Sequence, residues 1–260
     1  MPEAFRFHHL VYEMAFIVEG SAREPFTIME INWNSPDVVQ KLCKFSKDSI
    51  LHEYIFSTIA TYIDRDYRKN ADMYEQSDIA EIEATFKEYG IKILSFETYY
   101  KKRKKAFESH NEAFYEWYCD QENQFAKLWE TITEEVFQLL FANRMFLLYF
   151  NQSLASCLRD GEISIPSDCQ RENGHIKRDG YIPSWLKKAV YLRDHGRCVL
   201  CQKDLTGLIS TDISLHYDHI VPLNQWGAND PCNIQLLCDK CNLQKSGKEA
   251  STGIKYPAWW

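Results

Sequence analysis

Two Cys-x-x-Cys pairs, Cys198/Cys201 and Cys238/Cys241, stand 36 residues apart near the end of this 260-residue chain. Each pair offers two sulfurs from one tight turn, and four thiolates in a tetrahedron are what a structural zinc ion prefers. A closed four-sulfur site leaves no open position for water. It welds two distant segments together, so the metal contributes directly to folding a module whose own core is small. The unliganded alternative, four core cysteines, does not explain the paired spacing.

The other five cysteines (Cys43, Cys119, Cys157, Cys169, Cys232) make the total of nine odd. The start, Met-Pro-Glu-Ala-Phe-Arg, has no secretory pattern. Both point to a reducing, cytoplasmic setting rather than a disulfide scaffold. The most apolar run, Val136–Phe150, is interrupted by Gln138, Asn143 and Arg144. It is too short to span a bilayer and reads as a buried helix, so no membrane association is expected.

Charge divides the chain. Residues 176–260 hold 11 Lys+Arg and 8 Asp+Glu, whereas residues 1–175 hold 19 and 29. Phosphate binding requires local positive potential, and only the C-terminal part tends that way. The sequence therefore predicts an α+β protein with two jobs. Residues 1–160 form a mostly helical, partner-binding or regulatory domain. Residues 161–180 form a linker, where periodicity is lost among Gly and Pro. Residues 181–260 form the zinc-stabilised domain.

Within residues 1–160, Tyr12–Val18 and Phe26–Trp33 are rich in β-formers and predict a β-hairpin near the start. Ser35-Pro36 opens a helix lined by Val38, Val39, Leu42 and Phe45. A second helix is expected over 50–65, and Asp78 with Glu81 marks a capping box for a third, stopped at Gly90. From Ser95 to Leu158 the pattern predicts one or two long helices. Tyr99, Phe107, Phe114, Trp117, Phe125, Trp129, Ile132, Val136 and Leu140 recur at helical steps, which is core spacing rather than a base-stacking platform. Lys101-Lys-Arg-Lys-Lys105 reads as a solvated charge run.

In the C-terminal part, Trp185–Arg193 predicts a short helix, Leu215–Pro222 a strand running into a loop, Asn233–Leu237 a second strand, and residues 239–248 a helix. Lys255-Tyr-Pro-Ala-Trp-Trp260 reads as a C-terminal strap, with Trp226, Trp259 and Trp260 available to the small core. Adjacent strand residues face opposite ways, so Asp218 and His219 serve one site only where the strand ends. Pro222 is consistent with that break.

His219, 13 residues, Asn233, 8 residues, Asn242, with Asp218 directly before the histidine, is similar to the HNH endonuclease pattern. Asp-His-Ile-Val-Pro-Leu, Gly227-Ala-Asn-Asp, Asn-Ile-Gln-Leu-Leu-Cys and Cys-Asn-x-x-Lys extend the resemblance over about residues 183–250. It implies a ββα-metal nuclease with His219 as general base, Asp218 and Asn242 holding one Mg2+ or Mn2+, and Asn233 orienting the loop. His216, on the strand face of Asp218, is a further candidate ligand. Lys245 and Lys248 are candidate phosphate contacts. The resemblance implies a phosphodiester hydrolase acting on DNA. The architecture, an HNH-like module fused to a helical domain that matches no recognised family, also resembles bacterial anti-phage effectors, some of which pair with an ATPase. A standalone restriction or homing-type nuclease and a non-catalytic zinc nucleic-acid-binding module are the alternatives.

Overall fold

A computed structural model describes residues 8–103, 107, 110–208 and 214–256. Lys104 and Lys105 of the basic run, residues 5–7, Trp259 and Trp260 lie outside them. The chain divides into two compact units, residues 56–135 and residues 1–55 with 136–260. This division differs from a boundary at 160–181. Residues 136–159 and the stretch before 55 share a unit with the zinc module, tied to it by the backbone and side-chain bonds described below. Among the described residues, no helix is long and apolar enough to cross a membrane.

The predicted N-terminal hairpin is corrected. Residues His9–Ser21 form helix α1 and Pro25–Glu30 a 3-10 turn. Val11, Met14, Ala15 and Val18 are buried at three- and four-residue steps, while Tyr12 and Phe16 stay exposed. Aromatic β-formers on the outer face of a helix produced the strand signal; burial at a 3.6-residue period overrides them. Helix α2 is short, Pro36–Gln40, and α3 runs Ile50–Lys69. Helix α4, Gln76–Glu88, does have a capping box, but three residues earlier than expected: Glu75 caps it and Asp78 is the reciprocal partner. Gly90, with φ +68°, follows its end.

Among the described residues, the stretch expected to hold one or two long helices holds four: α5 (Phe96–Arg103), α6 (His110–Asp120), α7 (Glu122–Ala142) and α8 (Arg144–Arg159). The break between the last two is Asn143, whose side chain accepts the Phe146 N–H and so caps α8. In the unit of residues 56–135 the aromatics pack edge-to-face. Phe86 and Trp117 both meet Phe125, at 4.8 and 5.8 Å between centroids. Tyr67 is buried among Tyr74, Phe114 and Tyr118. This is core, as the periodicity predicts. Lys101 pairs with Glu97 and Arg103 with Asp120, so part of the basic run is neutralised locally.

The other unit carries the site. Helix α9, Ser184–Arg193, packs against a two-stranded antiparallel sheet, β1 (Leu215–His219) and β2 (Ile234–Cys238), followed by α10 (Asp239–Lys245). His219 pairs with Ile234 and Asp218 with Gln235. Every residue of β2 is buried, over a small core of Leu186, Val190, Val199 and Leu205. Buried Asp194 accepts the Leu236 N–H and is flanked by Arg193 and Arg144. Arg144 in turn donates to Gly253 O and lies 4.1 Å beneath the Tyr256 ring. The C-terminal strap is therefore held on α8. A Cβ at Gly253 would come within 1.7 Å of Val199 O, so only glycine lets the strap cross the first zinc knuckle.

Candidate active site

The four cysteine sulfurs lie within 4.8 Å of one another. Cys201 Sγ and Cys238 Sγ are 3.7 Å apart, too far for a disulfide. That separation matches the edge of about 3.8 Å expected for a tetrahedron with zinc–sulfur bonds of about 2.3 Å. Donor chemistry and geometry both fit a zinc ion. Cys241 precedes Asn242 on the first turn of α10, so the cluster fixes where Asn242 starts.

The loop from β1 to β2 is tied internally. Asn233, fully buried, donates to Val221 O and Ala228 O and accepts the Val221 N–H. The chain turns back at Trp226, which adopts φ +65°, and Gly227. A Cβ at Gly227 would lie 2.0 Å from Val221 O. Asp230 closes the far end. One oxygen accepts the Cys232 N–H and the other the Ile50 N–H at the start of α3. Full burial raises its carboxyl to about 6.

His219 ends β1 with 2 % of its surface exposed. Its Nε2 lies 3.3 Å from Asn229 Oδ1. The Asn229 amide nitrogen already donates to Cys43 O and to Lys177 O. Its oxygen is therefore the acceptor, and Nε2 carries the proton. That leaves the lone pair on Nδ1, which has no hydrogen-bond partner among the described residues. Burial first, and the Arg178 charge second, push the ring down to about 4, so it is neutral at pH 7.

His219 lines a cleft of about 390 Å3 together with Asp218, Asn242, Asn224, Arg171 and Arg178. Asp218 and Asn242 thus share one cleft, and a carboxylate with an amide oxygen is a donor set suited to a hard divalent ion. The remaining predicted contacts fall differently. Lys245 is turned inward, its side chain 1 % exposed, 2.9 Å from Asp218 Oδ2 and donating to His219 O. It balances the aspartate and satisfies the end of the strand, so it is not a phosphate contact. Its place one turn beyond Asn242 is as expected; the direction of the side chain is not. Lys248 is exposed and does not line the cleft. His216 has both nitrogens engaged. Nδ1 lies 3.3 Å from Asn242 Nδ2, and Nε2 faces Ser214 Oγ and Asp239. It orients the Asn242 amide, whose oxygen is left for the cleft, and in this arrangement it is not a metal ligand.

Arg171, Arg178 and Asn229 were missed by sequence reasoning. The two arginines belong to the segment read as a linker. It is a small packed hairpin: Gln170 bridges Ile176, and Arg171 N donates to His175 O. Ile163, Ile165, Cys169 and Ile176 beneath it are buried. The turn signals Arg171-Glu-Asn-Gly and Arg178-Asp-Gly were the available clue to a folded segment.

A four-thiolate clasp on a ββα fold, with histidine, aspartate and asparagine at one cleft, defines a zinc-stabilised ββα-metal module. Residues 198–248, about a fifth of the chain, match the family model described as HNH endonuclease. No curated protein and no solved structure matches the chain.

Proposed function

We propose that this chain is a metal-dependent endonuclease that hydrolyses DNA phosphodiester bonds, with His219 as general base. The observation that carries the reading is the fixed tautomer: Asn229 holds the Nε2 proton and leaves Nδ1 free to accept another. A neutral imidazole can take a proton from water as the water attacks phosphorus in line with the leaving 3′ oxygen. The products are a 5′ phosphate and a 3′ hydroxyl. Asp218, with Oδ2 balanced by Lys245, and Asn242, steadied by His216, are the residues that would hold Mg2+ or Mn2+. When bound, such an ion stabilises charge developing on the phosphate and leaving oxygens. Asn233 keeps the loop that follows His219 in shape, and the zinc clasp fixes the start of α10.

The decisive experiment incubates plasmid and single-stranded DNA with the protein and Mg2+ or Mn2+, beside His219→Ala. Wild type should cut and the variant should lose about 100-fold or more of the rate while keeping zinc content and the native fold. Retained cutting by the variant removes His219 as base. One observation favours a second reading, a zinc-stabilised DNA-binding module without catalysis: His219 is nearly sealed from solvent. DNA binding with no cutting under either metal would select it. The acidic balance of residues 1–175 supports the further reading of a defence effector whose helical part docks a protein partner, such as an ATPase subunit, rather than DNA. Full nuclease activity from a lone monomer that co-purifies with nothing would remove it.

A further inference from the structure

The cleft beside His219 has a cationic wall that the ββα module does not supply. Arg171 and Arg178 lie outside residues 198–248, both are exposed, and both line the cleft. Among the described residues neither guanidinium has a hydrogen-bond or ion-pair partner. Lys41, Arg144, Arg193 and Lys245 in the same unit all have one. The hairpin that carries them is pinned on both sides of its turn. The His175 ring packs against Trp226, at 4.5 Å between centroids. Gly174, at φ +83°, lets the Trp226 ring approach so closely that a Cβ would lie 3.3 Å from it. Beyond the turn, Lys177 O accepts from Asn229 Nδ2, the same amide that fixes His219. A rigid hairpin thus presents two unpaired planar cations to the space His219 faces. Guanidinium forks match phosphate oxygens in charge and geometry.

We propose that Arg171 and Arg178 form a phosphate clamp that grips the DNA backbone next to the bond facing His219. The clamp rests on the nuclease reading for its choice of ligand, but it is testable without cleavage. The probe is a short fluorescein-labelled DNA duplex, titrated in buffer without added divalent ions across a range of salt concentrations. Each lost phosphate contact lowers the slope of log K against log salt by about 0.9. Arg171→Gln/Arg178→Gln should therefore reduce the slope by about 2 and weaken binding at least about tenfold. Arg171→Lys/Arg178→Lys should keep the slope while losing part of the affinity, because charge is retained and the bidentate fork is not. Zinc content and melting temperature of both variants should equal wild type, since the replaced side chains hold no internal bond.

Wild-type affinity and slope in the Gln variant overturn the clamp, even if the protein cuts DNA. Loss of affinity in that variant with no cutting by wild type sustains the clamp and defeats the nuclease reading. No duplex binding by wild type overturns the clamp, while the nuclease reading stands or falls on the cleavage assay with Mg2+ or Mn2+.

Discussion

The unit of residues 56–135 and the zinc module solve the folding problem by different means. The first packs large rings against one another: Trp117, Phe125, Phe114 and Phe86 are all essentially buried. The second has few large apolar groups and relies on short polar ties: Asn233 across its loop, Asp230 onto α3, Asp194 onto β2, and four thiolates. Packed rings give stability that tolerates no voids but needs no fixed polar geometry. Polar ties fix individual atoms, and the chemistry of a base and a metal site needs fixed atoms. The difference explains why the candidate site sits in the module with the poorer core.

The contrast breaks most sharply on zinc. Chelation, or Cys238→Ser, should remove folding energy on the order of 10 kcal/mol from the module. Cleavage and the structure around residues 198–245 should be lost, while the aromatic near-ultraviolet dichroism of residues 56–135 survives. Equal loss of both signals would mean that the two regions do not differ in what holds them. Trp117→Ala is the converse. A cavity at a fully buried tryptophan should cost about 3–5 kcal/mol in a denaturant titration and leave zinc content unchanged. Gly227→Ala should cost about 2–4 kcal/mol, because the new methyl meets backbone that cannot move cheaply. Hydrogen exchange should locate the damage in residues 220–233.

Acid sharpens the comparison further. Burial pushes His52 down to about 4, where its Nδ1 accepts the Ser49 N–H. The unfolded chain binds that proton at the ordinary value of 6.5, so stability is intact above 6.5 and falls as pH drops toward 4, by up to about 3 kcal/mol. Asp230, raised to about 6, works the other way: its contribution falls as pH rises through the range from 4 to 6. His52→Gln should flatten the acid limb of a stability–pH curve, and an unchanged limb would contradict the assignment. The smallest effect belongs to the helical unit's surface. Lys101→Ala breaks an exposed ion pair with Glu97 and should leave the melting temperature within error.

Much of the site was legible because its signals are local. The cysteine pairs, the two strands and α10 each announce themselves within about ten residues. The Asn233 loop and the Asp218–His219 step were expected only through the resemblance of their spacing to the HNH pattern. Other features depend on distant contacts. Nothing near Asn229 says that its amide will meet Cys43 O and Lys177 O, and nothing near Arg171 or Arg178 says that the His219 cleft will lie beside them. Lys245 shows the limit of register: position on a helix gives proximity, but only packing decides whether a lysine faces solvent or a buried aspartate. The N-terminal helix failed for the opposite reason, since exposed Tyr12 and Phe16 imitated a strand.

The convergence on Asn229 has one more consequence. Its amide is held by carbonyls from residues 43 and 177, neither of them in the family-matched stretch. An excised 181–260 fragment would keep its metal clasp and lose the bracket that aims the imidazole. The same holds for a ribosome-bound product whose early residues have not yet docked. On the nuclease reading, the imidazole is therefore aimed only in a molecule whose residues 43 and 177 have packed against the loop, a requirement written in main-chain atoms that point mutation cannot easily erase.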